Sequence, residues 1–287
     1  MIPAAFDYQR ASSVDEAVTL LAESGGDAKI LAGGHSLIPT LKLRLARPET
    51  LIDIGRIDEL KGISEDGDTI VIGALTTHDD VASSDVVQAK APNLAAAAAA
   101  IGDLQVRNCG TIGGALVHAD PAADYPAAIL ADEAEIVVQG PNGSRTVPAA
   151  DFFLDIFVTA VQEDELLTAV RIPARAPGTG SVYLKFPNPA SGYAVVGCAA
   201  NVTMDGGKCA NVRVAFNGVS GVAFRDADVE DAITGTSGDE AAIVAAAECA
   251  GNGQDCMSDT FASAEFRAHL AKVYAKRALT AAVKAAS

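Results

Sequence analysis

The chain has 287 residues, enough for two domains with an ample core. Apolar residues make up 49% and charged residues 20%, so no tract reads as disordered. A formal charge of −16 argues against phosphate-backbone binding, because a nucleic-acid protein needs a basic face to release counterions.

From the N-terminus, Met1 to Asp7 shows no basic segment followed by an apolar core, so no signal peptide is expected. Ser13 is placed to cap a helix, with Glu16 as capping-box partner and Ala17, Leu20 and Leu21 as its buried stripe; Gly25-Gly26 ends it. Lys29-Ile30-Leu31-Ala32 reads as a strand that runs into a glycine turn, Ala32-Gly33-Gly34-His35-Ser36. Leu37, Leu41 and Leu45 predict a helix leaving that turn, with Pro39 tolerated in its first turn, and Leu51 to Ile54 predicts the next strand. The turn therefore stands where a helix N-terminus would face an anion.

Short strands follow at Gly62 to Ser64 and Thr69 to Gly73, then a helix at His78 to Ser83 and an alanine-rich one from Asn93 to Ile101. A second glycine turn, Gly110-Thr111-Ile112-Gly113-Gly114, precedes a helix through Tyr125 to Leu130. Glycine lets the chain take φ > 0 and brings bare N–H groups close to a ligand, so two such turns with hydroxyls at Ser36 and Thr111 suggest a diphosphate held from both sides. Gly140-Pro141-Asn142-Gly143 marks a hairpin, and Leu166 to Ile172 a closing strand. Pro173 to Gly180 is dense in breakers and is the best boundary. Beyond it, Ser181 to Phe186, Tyr193 to Met204 and Cys209 to Phe216 predict antiparallel strands. The tail from Ser263 predicts a helix with Phe266, Leu270, Val273, Tyr274 and Leu279 on one packed stripe. Five widely spaced cysteines form no metal-ligand pattern and read as reduced thiols of a cytoplasmic protein. No catalytic or metal-ligating constellation is expected in this chain.

The two glycine turns, in this order and with these flanks, carry a resemblance. With Ile2-Pro3, Phe6-Asp7-Tyr8, Ile72 to Thr77, Gln105 to Asn108, Glu165 to Thr168 and Ala264 to Arg267, the chain resembles the flavoprotein subunits of molybdenum hydroxylases. Within that family it is most similar to the medium subunits of aerobic carbon monoxide dehydrogenases. The resemblance implies an α+β fold. Residues 1–177 would form a two-subdomain FAD-binding domain of the vanillyl-alcohol-oxidase (PCMH) type, divided near residue 57. Residues 178–287 would form a smaller α+β domain with an antiparallel sheet and a terminal helix. There is no GxGxxG, and the family does not use one.

By the same resemblance, Ala32, Gly33, Gly34, His35, Ser36 and Leu37, with Thr111, Ile112, Gly113 and Gly114, would wrap the diphosphate of a non-covalent FAD. Asp124 matches an acidic residue on the FAD, where a carboxylate suits ribose or ribityl hydroxyls. Leu167 matches a position that meets the cofactor, and Lys185 a lysine near the flavin, which would make the cofactor a bridge between the two domains. Tyr193 could lay its ring on the isoalloxazine. Read by residue type alone, His35 could bond within its turn, Asp120 and Asp124 could cap a helix, Lys185 could be an exposed strand lysine and Tyr193 a core tyrosine. Ala115 stands where the family usually has asparagine, and Phe186 to Ser191 lacks the family's basic residues.

The implied role is electron transfer in a heteromeric complex, a dimer of heterotrimers. A large subunit would hold molybdopterin and oxidise the substrate. A small subunit would hold two [2Fe–2S] clusters, and the FAD here would pass electrons to an acceptor such as quinone. Carbon monoxide is the leading substrate, with aldehyde, purine or N-heterocycle hydroxylation as the alternative. A stand-alone flavin oxidase is the reading from a different class. Any contact with the inner face of the membrane would be peripheral and made through the partners.

Overall fold

Three sheets of three or more strands follow one another along the chain in a computed structural model that describes residues 1–286. The first is parallel: β1 (Asp7–Arg10), α1 (Val14–Glu23), β2 (Ala28–Leu31), α2 (Leu37–Lys42) and β3 (Thr50–Asp53), with β3 paired between β1 and β2. Parallel neighbours need crossover helices, and α1 and α2 supply them. Ser13 caps α1 by accepting from Glu16 N at 3.1 Å, as predicted. The Glu16 carboxylate returns to Ser12 N at 2.7 Å, one residue upstream of a standard capping box. α2 is shorter than the leucine spacing predicts. It stops at Lys42, Arg44 takes φ +60°, and Leu45 is exposed, because the chain must turn back toward β3.

The middle sheet is antiparallel. It contains β4 (Ile63–Asp66) and β5 (Thr69–Gly73). A run of helices follows: α3 (His78–Ser83), α4 (Asp85–Lys90), α5 (Pro92–Ala100), α6 (Leu104–Arg107), α7 (Ile112–His118) and α8 (Tyr125–Ala131). Then come β6 (Glu135–Gly140), β7 (Gly143–Pro148), the small β8 (Phe153–Asp155) and β9 (Val158–Thr159) pair, and β10 (Leu166–Pro173). The sheet order β4-β5-β10-β6-β7 puts the last strand at the centre. A bulge between Leu167 and Ala169 turns the Thr168 carbonyl out of the ladder, where it accepts from Ala74 N at 2.9 Å.

The third sheet is an antiparallel meander, β11 (Thr179–Pro187), β12 (Ala194–Asp205), β13 (Lys208–Asn217) and β14 (Phe224–Arg225). α9 (Ala227–Ile233), α10 (Glu240–Ala247) and α11 (Ala264–Ala286) follow. Alternation along β11–β13 gives the sheet two buried faces. Tyr183, Ala199 and Ala215 join the core of the middle sheet and helices α5 and α8. Cys198, Val196, Val214 and Phe216 pack on α11. Within the predicted stripe of α11, Leu270, Tyr274 and Leu279 are buried. Phe266 departs from it, 42% exposed with its ring edge-on to Phe186.

Candidate functional site

Where α2 and α7 begin, the two glycine loops lie against each other. A Cβ on Gly33 would stand 2.2 Å from the Cys109 carbonyl oxygen and 2.8 Å from Gly110 Cα, so loop packing, not φ, requires glycine there. Of the turn glycines, Gly34 alone takes a positive φ, +71°. Gly113 is likewise a contact glycine, its Cβ position 2.7 Å from Ala74 Cβ. The expectation that φ > 0 governs both turns is therefore corrected to one residue of the first.

The loops also differ in what their amides do. Among the described residues, the N–H groups of Gly33, Gly34, His35 and Ser36 donate to no protein acceptor. In the second loop, Ile112 N donates to Thr76 O at 3.0 Å and Gly113 N to Ala74 O at 2.9 Å. Thr111 Oγ1 accepts from Gly114 N at 3.2 Å, capping α7. That helix has no sequence signature, because its two glycines and short apolar run hide the period.

A cavity of about 280 Å³ opens between the loops. Ala32 to Leu37 form one wall, Gly110, Thr111, Gly114 and Ala115 another, and Ser191 to Tyr193 a third. Asp120, Asp124 and Tyr125 line its floor, with His78 and His118 beside them. The structure thus brings together ten of the residues singled out in the sequence, Ala32 to Leu37, Thr111, Gly114, Asp124 and Tyr193. Ile112 and Gly113 lie behind the second loop. Leu167 is buried in β10 opposite Val138 and does not line the cavity.

Lys185 also lies outside the wall, one step behind it. Its ammonium donates to Ala100 O at 2.6 Å, Gly192 O at 2.7 Å and Asp124 Oδ2 at 3.0 Å. It is not an exposed strand lysine. Asp124 occupies the N-cap position of α8 but makes no cap bond. Its Oδ1 accepts instead from the Tyr183 phenol at 2.7 Å. Burial pushes the Asp124 carboxyl up, and the charge of Lys185 and the hydrogen bonds from Tyr183 and Lys185 oppose it. Tyr183 and Gly192 gave no signal in the sequence. Their role depends on how β11 docks, which no local pattern encodes.

The histidines divide. His35 Nδ1 bonds within its turn to Gly33 O at 2.9 Å, and His78 Nδ1 meets the Tyr125 hydroxyl at 3.1 Å. Burial pushes the His78 imidazole down to about 4, so it is neutral at neutral pH. Tyr193 just precedes β12, 42% exposed, with its phenol near the Ser36 hydroxyl. Unbonded amides on one side, hydroxyls at both loops and a carboxylate on the floor fit a ligand with a diphosphate and a polyol chain.

Residues 4–175 match the family described as the FAD binding domain in molybdopterin dehydrogenase, and residues 181–282 match the CO dehydrogenase flavoprotein C-terminal domain. The chain is 45% identical to the carbon monoxide dehydrogenase medium chain of Hydrogenophaga pseudoflava, with 98% of each covered. It is 38% identical to the 6-hydroxypseudooxynicotine dehydrogenase complex subunit alpha of Paenarthrobacter nicotinovorans, over 99% of this chain and 96% of that one. Its fold superposes on a chain of the Hydrogenophaga pseudoflava carbon monoxide dehydrogenase that lacks the Mo-pyranopterin moiety, with a TM-score of 0.97, 46% identity and 100% of both chains covered.

Proposed function

Because the chain belongs to the family of FAD-binding medium subunits of molybdenum hydroxylases, oxidoreductases whose two characteristic regions both match it, we propose that it binds one FAD non-covalently in the cavity between its glycine loops. The observation that carries this reading is the row of unbonded N–H groups from Gly33 to Ser36 facing a cavity whose floor holds Asp124. The amides of the first loop and the Thr111 hydroxyl would hold the diphosphate, and Asp124 would accept from the polyol hydroxyls. Tyr193, which lines the cavity, would cover one face of the flavin ring. Bound there, FAD supplies a redox centre that can take up electrons singly and release them to an acceptor.

The chain's part in the complex would be to relay electrons from the [2Fe–2S] clusters of a small subunit, fed by a molybdopterin-bearing large subunit, to an external acceptor such as quinone. Carbon monoxide is the substrate we favour for the complex, on the identity to the medium chain from Hydrogenophaga pseudoflava. The similar identity to a subunit of a nicotine-derivative dehydrogenase keeps an N-heterocycle hydroxylase as the second reading. The five free thiols support a cytoplasmic setting.

Reconstitution tests the assignment. The full chain incubated with FAD should retain one flavin per chain, and acid precipitation should release all of it. No retained flavin, or flavin that stays with the precipitate, overturns the site or its non-covalent character. The native complex should show molybdenum and iron–sulfur absorbance. A chain that turns over substrate with its flavin alone would be a stand-alone oxidase, and the relay reading would fall.

A further inference from the structure

Behind the cavity floor, β11–β13 carry a row of polar atoms that neither the glycine loops nor the proposed cofactor contacts require. Lys185 on β11 pairs across the sheet with Gly197, and Gly197 with Asn217 on β13. Tyr183 lies two residues from Lys185 on the same face, and its phenol meets Asp124 Oδ1 at 2.7 Å with Asn217 Oδ1 at 3.4 Å. A Cβ on Gly197 would stand 2.3 Å from the Tyr183 hydroxyl and 2.3 Å from Asn217 Oδ1. Glycine in mid-strand, normally a weakness, here makes the space into which the phenol fits.

We propose that Tyr183 is a positioning residue: its phenol on Oδ1, acting with the Lys185 ammonium 3.0 Å from both carboxylate oxygens, fixes Asp124 as a charged acceptor aimed at the hydroxyl-bearing part of the bound ligand. The assignment of that ligand rests on the FAD reading; the state of Asp124 does not. Two donors from one strand hold the carboxylate, the Tyr183 phenol on Oδ1 and the Lys185 ammonium astride both oxygens, and Asp124 makes no cap bond to α8, the role its sequence position offers. The groups around Asp124 are Lys185 and Tyr183 from β11, Tyr125 from its own helix, Asp120 on the cavity floor and Tyr193 in its wall. Among them only Lys185 carries positive charge. Burial works against ionisation of Asp124, so each donor matters to its charge. A consequence is that the C-terminal sheet, which contributes only Tyr193 and its neighbours to the wall, also sets the charge of the floor.

The test follows the Asp124 carboxyl itself. In the full chain labelled with 13C at aspartate side-chain carboxyls, the Asp124 resonance is identified by its loss in Asp124→Asn and titrated without FAD. Tyr183→Phe should move its midpoint upward by about one pH unit, a tenfold change in proton affinity, while the fold is retained. Gly197→Ala, which crowds the phenol without removing it, should move it the same way. An unmoved midpoint in both variants overturns the proposal. FAD affinity is then measured across the same pH range. Its acid limb should follow the Asp124 midpoint in each protein. If the midpoint shifts and FAD affinity does not follow it, the positioning of Asp124 stands and its contact with FAD falls.

Discussion

Gly33 and Gly34 are neighbours in one turn and are glycine for different reasons, which makes them a test of how the site is built. At Gly33 an added methyl would meet backbone on the opposite loop at 2.2 Å, so the two loops must part. At Gly34 the cost is a φ of +71° together with contact to Ile38 Cγ1 at 3.0 Å, and the side chain of Ile38 can yield. Strain at a left-handed residue costs roughly 1–2 kcal/mol, and overpacking against backbone roughly 1–3 kcal/mol. We therefore predict that Gly33→Ala weakens FAD binding at least tenfold while Gly34→Ala weakens it less, by flavin fluorescence titration of the two variants. The opposite ranking would mean that loop spacing does not shape the cavity. Asp132 gives a second prediction at this scale. Its buried carboxyl accepts through Oδ1 from Asn93 at 2.9 Å and Asn201 at 2.8 Å, and Oδ2 has no partner. Burial pushes it from 3.8 up to about 6. The folded chain thus binds this proton more tightly than the unfolded one. Below about pH 4 both states are protonated; between about 4 and 6 the unfolded chain ionises first and stability falls, by about 3 kcal/mol on the linkage relation. Asp132→Asn keeps the accepting oxygen and removes the proton. It should equal the parent below pH 4 and exceed it in urea-unfolding stability at pH 7–8. A constant difference across pH would rule out a protonated Asp132.

The elements that carry the site show what the sequence could disclose. β10 to β13 were legible because alternation and flanking breakers survive burial on both faces, and α11 because five apolar residues recur on one stripe. α4, α9 and α10 were not. The first is a short segment of mixed residues, and α10 is so uniformly small and apolar that no face stands out. The site was legible as two glycine turns; Asp124 became legible only through resemblance to a family, and Tyr193 as a flat aromatic suited to cover a flat cofactor. Which amides remain free was not, since Thr76 and Ala74, which occupy those of the second loop, lie far along the chain. A similar close approach fixes α11 on the third sheet. Gly180 at the start of β11 packs so tightly that a Cβ would lie 1.8 Å from Ala282 O and 2.7 Å from Ala286 N. Gly180→Ala must therefore displace the last turn of α11 or the strand end. We expect a loss of roughly 1–3 kcal/mol in urea unfolding, with faster hydrogen exchange confined to the helix end. Unchanged exchange there would show that the helix end is not held by this contact.

Across the whole molecule, three distant stretches, Ala32 to Leu37, Gly110 to Tyr125 and Ser191 to Tyr193, one from the neighbourhood of each sheet, form most of the cavity, and His78 and the segment from Ile101 to Val106 complete it. It is also set in an acidic protein. The formal charge is −16, and among the described residues the cavity wall contains no lysine or arginine but two aspartates, Asp120 and Asp124. The nearest ammonium, that of Lys185, is engaged by Asp124 at 3.0 Å. A diphosphate held here would be neutralised by N–H dipoles that act over a few ångströms, while the rest of the protein repels it at longer range. Salt separates these contributions. The Debye length is about 10 Å at 0.1 M and shrinks as salt is added, so the long-range repulsion fades while bonds at contact distance persist. A site clamped by cationic side chains would behave in the opposite way, losing affinity as its attraction is screened. We predict that raising sodium chloride from roughly 50 to roughly 300 mM leaves the FAD dissociation constant unchanged or lowers it a few-fold, measured by fluorescence titration at constant pH. In a Gly33→Ala variant, affinity should fall while this salt response is kept, because the long-range field is unaltered. A dissociation constant that rises steadily with salt would place a cationic side chain on the diphosphate, and the amide cradle would then be the wrong account of how this acidic chain holds an anion.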